Sequence, residues 1–362
     1  MTRAFLRSGY TTGACAAAAA KGAAEMLRDG QVIDRVEIIL PGGELVPFTL
    51  RNQQLGDKFA SCSVIKDAGD DPDITNGAEI NVSLTIEPAP PGTKGEIAVS
   101  GGTGIGKVTK PGLAVPVGEW AINPVPRKMI RVVINEVFAI RCVPSLMKVT
   151  VSIPNGEELA KKTLNARLGI IGGLSILGTT GIVKPISAKA WTDTIDAAID
   201  VALACGSKTL ILSTGRTSEL VAERHLQLGK LTQEEAFIMM GDHVGYALKT
   251  CAAKGVREIV IAGQFAKLLK VACGHEQTHV SSSELDLQQL VSWLGPDPRT
   301  SGLVLLARRA NTARQVLEES GNDPVLMAAV CERVKGFAAR LVQESSIKVL
   351  LAGYGQEVLY FG

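Results

Sequence analysis

The chain has few aromatic residues, little net charge and no closely spaced cysteine pair. Phe, Trp and Tyr make up 4% of its 362 residues, which argues against base-stacking surfaces for single-stranded nucleic acid. Its 38 basic and 36 acidic residues leave a formal charge of +2, so a concentrated basic surface for nucleic acid is not expected. Seven single cysteines without a C-x-x-C motif predict a reducing compartment rather than a disulfide framework.

Long hydrophobic runs are also missing. The uncharged stretch 168–183 contains five glycines and is too short for a membrane-spanning helix. Arg3 and Arg7 precede an alanine run that faintly imitates a signal peptide, but alanine is a poor apolar core and Lys21 interrupts it. We therefore expect a soluble, cytoplasmic protein without membrane or nucleic-acid partners.

The first part of the chain has the pattern of an α+β domain. Residues 11–28 predict a helix, because alanine favours helices, Thr11 or Thr12 can cap its first amides and Gly30 can end it. Segments with strand character follow, and the first two are joined by a Pro-Gly-Gly turn. These segments are RVEIIL, LVPFTL, FASCSVI, EINVSLTI, GEIAVS and KVTVSI. We assign residues 1–163 to this domain.

The remainder, residues 164–362, alternates short apolar runs with amphipathic helical patterns. The runs end in glycine, as in LGIIGG, KTLILSTG, EAFIMMGD, REIVIAGQ and SIKVLLAGYG. This alternation is typical of an α/β fold with a doubly wound parallel sheet and helices on both faces. The predicted fold class is therefore α/β, with an α+β domain before the parallel-sheet domain.

Loops after the strands of such a sheet are the expected ligand sites. The loop 172–185 has glycines whose amides can face a ligand, and hydroxyl groups suited to a nucleoside or to S-adenosylmethionine. It lacks G-x-G-x-x-G, so the NAD interpretation is weak. The alternative is that its glycines serve only tight packing. The candidate cofactor residues are Gly172, Gly173, Ser175, Gly178, Thr179, Thr180, Gly181, Gly215, Arg216 and Gly241.

A second glycine loop, SGGTGIGKVTKPG at 100–112, carries Lys107 and Lys110. It is not a Walker A sequence, but amides and lysines together suit a phosphate or a cluster of carboxylates. Arg127 and Lys128 follow among prolines, and a planar guanidinium suits a carboxylate. A small-molecule kinase that uses the loop 100–107 is one alternative, and a plain solvated turn is another.

Two acidic or histidine-rich motifs suggest metals only superficially. HEQTH at 275–279 has the spacing of a zinc peptidase, but Gly274 favours the end of a helix and no further histidine follows. DAGDDPDIT at 67–75 lacks the frame of a calcium loop. We predict no metal site, a polar turn around Asp67, and a coincidental HEQTH.

Several long stretches together resemble one known family. LRSGYTTGACAAAAAKGA, DAGDDPDIT, GGTGIGKVTKPGLAVPVGE, AINPVPRKMI, NARLGIIGGLSILGTTGIVKP and HVGYALKTCAAKGVREIVIAGQFAKLLKVACG follow the order seen in the cobalt-precorrin-5B C(1)-methyltransferases, the CbiD family of anaerobic cobalamin biosynthesis. The resemblance spans nearly the whole chain. It implies methyl transfer from S-adenosylmethionine to C-1 of a cobalt-bound tetrapyrrole, with a Rossmann-like second domain.

The resemblance also implies roles for residues. Cobalt would enter with the substrate, so no protein metal site is needed. Basic side chains and amides would hold the peripheral carboxylates of the ring, and one base would accept a proton. The substrate-binding candidates are Thr11, Thr12, Gly102, Gly104, Lys107, Lys110, Arg127, Lys128 and Lys184. The catalytic candidates are Asp67, Glu119, Asp242 and His279. A non-catalytic corrinoid-binding protein is the alternative; a homo-oligomer and transient contact with neighbouring pathway enzymes are further expectations.

Overall fold

The structure is a computed structural model that describes residues 6–88, 96–138, 145–185, 187–227, 233–295 and 297–362. The chain forms two compact units, Met1–Ser187 and Ala188–Gly362. This division falls later than the predicted boundary after residue 163. The reason is that two short strands between residues 170 and 183 pair with strands of the first unit.

The first unit is built on a five-stranded sheet of order β4-β5-β6-β9-β7, antiparallel except where β7 runs parallel to β9. β2 and β3 form a hairpin, and β1 pairs with β11 and β8 with β10. The strands are β1 (Gly9–Tyr10), β2 (Arg35–Ile39), β3 (Leu45–Thr49), β4 (Arg51–Leu55), β5 (Phe59–Ile65), β6 (Glu79–Pro88), β7 (Glu96–Gly101), β8 (Lys107–Val108), β9 (Ser145–Ser152), β10 (Ile170–Ile171) and β11 (Ile182–Val183).

Helix α1 (Thr12–Asp29) lies in the core of the first unit. Thr11 caps it by accepting a hydrogen bond from the Ala14 amide, and left-handed Gly30 ends it, as predicted. Its alanines are fully buried, since tiny side chains let the helix pack closely on β5 and β6. Helix α2 (Pro124–Phe138) packs beside α1, and the short α3 (Gly156–Ala160) follows β9.

The second unit has a five-stranded sheet of order β13-β12-β14-β15-β16, in which the first four strands are parallel and β16 is antiparallel. Its strands are β12 (Thr209–Ser213), β13 (Phe237–Met239), β14 (Glu258–Gln264), β15 (Ser346–Ala352) and β16 (Val358–Phe361). Its helices are α4 (Ala188–Ala204), α5 (Arg216–Gln227), α6 (Val244–Ala253), α7 (Phe265–Ala272), α8 (Leu287–Leu294), α9 (Ser301–Arg309), α10 (Ala313–Glu319) and α11 (Pro324–Leu341).

Helices cover both faces of this sheet. Ile211 and Val260 face α5, while Leu210 and Ile259 face the core that α4, α6, α7 and α11 share. β13 lies on one side of β12, and β14, the next strand along the chain, lies on its other side. The order in which strands are added to the sheet therefore reverses at β12. In open α/β sheets the carboxyl ends at such a reversal are the usual ligand site.

The predicted mixed α/β class is confirmed, but one predicted strand was misplaced. LGIIGG is not part of the parallel sheet: Ile170 and Ile171 pair antiparallel with Val108 and Lys107 of the first unit. The loop 172–185 therefore belongs to the first unit, and its glycines do not follow a strand of the parallel sheet. Among the helices that the structure describes, none is both long and apolar enough to cross a membrane.

Candidate active site

The aspartate-rich turn after β5 is held by two ion pairs. The guanidinium of Arg7 donates to both carboxylate oxygens of Asp67, at 2.5 and 2.8 Å. The hydrogen bond from Arg7 lowers the pKa of Asp67 to about 2. The buried Lys66 ammonium donates to Asp73 at 2.5 Å. The turn is thus a rigid, charged loop, and Asp67 is a weak proton acceptor.

The amino end of α1 is closed by the loop 177–181. The Thr12 hydroxyl accepts from the Leu177 amide at 3.0 Å, and the Gly13 amide donates to the Leu177 carbonyl at 3.0 Å. A Cβ on Gly178 would lie 2.4 Å from Thr11 Oγ1. Thr11 and Thr12 are buried. The Thr12 hydroxyl therefore holds this loop on the helix, while the Thr11 hydroxyl caps the helix and leaves no room for a side chain at position 178.

The glycine loop 101–106 is packed against backbone rather than open. A Cβ on Gly104 would lie 2.0 Å from the Ile153 carbonyl oxygen, and one on Gly173 would lie 2.2 Å from the Gly104 carbonyl oxygen. The amides of Gly102 and Gly106 donate to main-chain carbonyls. These committed amides weigh against a phosphate cradle of the kind that a kinase needs. The packing interpretation of the glycines fits these positions.

Arg127 braces the loop that precedes α2. Its guanidinium donates to the carbonyls of Ile122, Val99 and Trp120 at 2.8, 3.1 and 2.9 Å. Burial lowers the pKa of Arg127. Glu119 lies 3.6 Å from the same guanidinium and keeps a side chain that is 56% exposed. Arg127 therefore orders the segment that presents Glu119 to solvent.

The other first-unit candidates lie at its surface or at the edge of these loops. Lys110 is half-buried and donates to the Arg167 carbonyl at 3.4 Å. Gly172 has a positive φ of 85°, and a Cβ added to it would meet no atom within 4 Å, whereas one on Gly173 would clash. Ser175 is buried and Gly181 packs on Leu40. Exposed positions are Lys107, Lys128, Thr179, Thr180 and Lys184.

In the second unit, Asp242 ties the end of β13 to α7. Lys267 Nζ and the Thr278 hydroxyl both donate to Asp242 Oδ1, the latter at 2.6 Å. Burial alone would raise the pKa of Asp242, but these hydrogen bonds outweigh it and hold the pKa below its usual range. The buried Lys270 ammonium donates to the carbonyls of Thr278 and Ser283 at 3.1 and 2.9 Å. The network fixes the segment after α7.

That segment contains the HEQTH motif, and it is not helical. Helix α7 ends at Ala272 and Gly274 has a φ of 93°, as the sequence predicted. The two histidines therefore lack the shared helical face of a zinc peptidase. His279 Nδ1 accepts from the Ser281 amide at 3.2 Å and lies 2.8 Å from the Ser281 hydroxyl. With Nδ1 accepting, the proton of a neutral imidazole resides on Nε2.

The carboxyl end of β12, one of the strand ends expected to bind a ligand, holds a buried hydroxyl that was not among the candidate cofactor residues. Ser213 is fully buried, and its Oγ has no hydrogen-bond partner among the residues that the structure describes. Ser213 lies two residues after Ile211 in the strand, so its side chain points to the same face of the sheet, toward α5. A Cβ added to Gly215 would meet open space. The Arg216 guanidinium lies 2.5 Å from the carboxylate of the buried Glu219. A serine that ends an otherwise apolar run in KTLILSTG was the available signal.

The predicted residues thus divide between the two units. The first unit holds Asp67, Glu119, the glycine and hydroxyl candidates 172–181, and every substrate-binding candidate. The second unit brings together, at the carboxyl edge of its sheet, Gly215, Arg216, Gly241 and Asp242, with His279 on the segment that Asp242 fixes. The four catalytic candidates each have a protein partner: Arg7, Arg127, Lys267 and Ser281.

These features define the class of protein. It is a two-unit α/β protein with polar residues at the carboxyl ends of the strands of its parallel sheet. The CbiD family model matches residues 1–185. Together with relatives more than 60% identical over nearly the whole chain, this match shows that the chain belongs to the CbiD family.

Three similar proteins illustrate the match. A cobalt-precorrin-5B C(1)-methyltransferase from Geobacter sulfurreducens is 64% identical over 358 residues, covering 99% of each chain. The protein of that name from Geobacter sp. strain M21 is 62% identical, covering 98% of each. The crystal structure of a cobalamin biosynthesis protein (cbiD) from Archaeoglobus fulgidus is 29% identical, covers 74% of this chain and 79% of that one, and has a TM-score of 0.39.

Proposed function

We propose that this protein transfers a methyl group from S-adenosylmethionine to C-1 of cobalt-precorrin-5B in anaerobic cobalamin biosynthesis. The observation that carries the proposal is the 64% identity, over 99% of both chains, to a relative that bears this name. Cobalt belongs to the substrate here.

Features of the second unit support a cofactor site there. Its Rossmann-like sheet ends in the buried Ser213 hydroxyl, which has no partner in the described part of the chain, with open space at Gly215 and the amino end of α5 beside it. Buried polar groups normally have a partner, and hydroxyl and amide groups suit the ribose and amino-acid parts of S-adenosylmethionine. We assign Ser213, Gly215, Arg216 and Gly241 to cofactor binding. When bound, S-adenosylmethionine supplies an electrophilic methyl group on a sulfonium.

In methyl transfer by in-line displacement, the protein mainly aligns the reactants and excludes water. Asp67 and Asp242 are weak bases because their pKa values are lowered, and the proton of a neutral His279 is on Nε2. Glu119, exposed and held beside Arg127, is the best placed of the four candidates to accept a proton from the ring. Lys107, Lys110, Lys128 and Lys184 are the candidates for its carboxylates.

The test is the mass of cobalt-precorrin-5B after incubation with the protein and S-adenosylmethionine. We expect a gain of one methyl group at C-1 that requires the cofactor. Substrate binding without any gain would replace the proposal with the corrinoid-carrier alternative. Glu119→Gln should lower kcat and leave cofactor affinity unchanged, whereas Glu87→Gln, in an exposed pair with Lys148, should alter neither.

The same proposal includes the cellular setting. The described cysteines are free, and burial raises the pKa of Cys15 and Cys251 to about 12, which suits a reducing cytoplasm. A labile substrate also favours transient contact with the enzymes before and after this step, and a homo-oligomer is compatible with it. Sedimentation of the purified protein, alone and with its substrate, tests the oligomer.

A further inference from the structure

Three side chains lie in one row across three neighbouring segments of the first unit. Ile171 of β10 is the register partner of Lys107 of β8, and Lys107 forms an antiparallel bridge with Trp120. Register partners point to the same face of a sheet. Ile171, Lys107 and Trp120 therefore share a face, which we call the Lys107 platform.

The alternation of burial shows that this face points outward. The adjacent residues Val108, Ile170 and Ala121 are buried together in a small core with Val115. On the opposite face Ile171 is 51% exposed and Lys107 is exposed. A ligand that covers Ile171 would remove this apolar surface from water, which is favourable.

Trp120 sits in this row because a glycine makes room for it. A Cβ on Gly101 would lie 2.6 Å from the indole ring. The ring is half-buried, and Lys107 Nζ lies 4.6 Å from its centroid. The platform thus offers a flat aromatic surface, an exposed aliphatic side chain and one ammonium between them.

Within the described part of the chain, the Lys107 ammonium forms no ion pair with a carboxylate, and it contacts the Trp120 indole. An exposed cation–π contact is weak, so a carboxylate from a ligand can replace it. Beside Ile171, Gly172 leaves open space, which lets a broad ligand approach.

We propose that the Lys107 platform binds the tetrapyrrole: the ring packs on Ile171 and Trp120, and one peripheral carboxylate pairs with Lys107. This inference rests on the proposed function, which supplies the ligand class. The chemistry matches because a corrinoid has a broad apolar ring edged by carboxylates, and the platform has apolar surface edged by a cation. A nucleotide would instead need several hydrogen-bond donors to its phosphates, and the nearby amides of Gly102, Ile105 and Gly106 already donate to main-chain carbonyls.

The test measures Kd by calorimetry for two probes: cobyrinic acid, a cobalt corrinoid with free carboxylates, and cobinamide, in which they are amidated. Ile171→Ser should weaken both probes about tenfold. Lys107→Met should weaken cobyrinic acid about fivefold and leave cobinamide unchanged. Both positions are exposed, so the variants should fold normally. Val280→Ser, at an 80% exposed valine of the second unit, is the matched control.

Each outcome decides something. Kd values within twofold of the unaltered protein for both variants would overturn the proposal. Equal losses with both probes in Lys107→Met would overturn the carboxylate pairing. Losses as expected, but with no methyl transfer by the unaltered protein, would keep the platform and overturn the proposed reaction alone.

Discussion

Lys66 and Asp73 form an ion pair across the turn that joins β5 to β6. The Lys66 side chain is 1% exposed, and its Nζ lies 2.5 Å from Asp73 Oδ2. Burial alone would raise the pKa of Asp73, but hydrogen bonds from Lys66 and Thr75 lower it. The pair orders the loop that also holds Asp67. Breaking one partner of such a pair is costly because the other charge stays buried without compensation.

Asp73→Asn should therefore destabilise the protein by about 3 kcal/mol in urea unfolding, because the Lys66 ammonium would stay buried without its carboxylate. The double variant Lys66→Met, Asp73→Asn should recover about half of that loss, since the uncompensated charge is gone. Glu87→Gln is the control: its pair with Lys148 has side chains that are 42% and 50% exposed, so its loss should stay below about 1 kcal/mol. Equal losses in Asp73→Asn and Glu87→Gln would contradict this account.

The Arg7–Asp67 pair predicts a small acid sensitivity. The folded pKa of Asp67, about 2, is below the unfolded value of about 3.9. The stabilisation is therefore present above about pH 4 and is lost as the pH falls toward 2. Both side chains are about half exposed, so screening limits it to about 0.5 kcal/mol.

Measuring unfolding of the unaltered protein and Asp67→Asn at pH 7 and pH 3 checks this. The difference between the two proteins should shrink at pH 3 and in 1 M salt. If the difference in unfolding free energy between the unaltered protein and Asp67→Asn instead grew at low pH, the predicted acid sensitivity of the Arg7–Asp67 pair would be contradicted.

The sequence predicts local structure better than distant pairing in this chain. Helix α1 could be predicted because Thr11, the alanines and Gly30 carry its cap, interior and end within one segment. The location of Ile170–Ile171 could not, since a two-residue strand before glycines has the same pattern whether its partner is a parallel strand or distant β8. Ser213 could not be chosen among the residues of its strand end, because only the tertiary structure reveals that its hydroxyl has no partner among the described residues.

Gly104 and Gly172 both have a positive φ but differ in the space around them. Alanine substitutions at the two positions therefore distinguish steric packing from backbone strain. Gly104→Ala should cost more than about 3 kcal/mol, because its Cβ would lie 2.0 Å from a carbonyl oxygen that cannot move freely. Gly172→Ala has a similar φ but open space, so only the left-handed backbone penalises it, by about 1 kcal/mol. Thermal unfolding of both variants checks the difference. Comparable losses would mean that strain alone governs both sites.

Ser213 offers a prediction in which stability and cofactor binding move in opposite directions. Its buried Oγ has no hydrogen-bond partner among the described residues, and an unsatisfied buried hydroxyl destabilises a fold. Ser213→Ala should therefore stabilise the free protein by about 0.5–1 kcal/mol. If the hydroxyl serves the cofactor, the same change should weaken S-adenosylmethionine binding about fivefold.

The matched control is Ser63→Ala. Ser63 is equally buried in a strand, but its hydroxyl donates to the Arg51 carbonyl at 3.3 Å. Removing it should destabilise the protein by about 0.5–1 kcal/mol and leave cofactor affinity unchanged. Unfolding curves and calorimetric titration with S-adenosylmethionine measure both quantities. A hydroxyl that serves only the cofactor stabilises only the bound state. Ser213 would therefore be removed from the cofactor site if Ser213→Ala made the free protein less stable. It would also be removed if the variant bound S-adenosylmethionine as tightly as the unaltered protein.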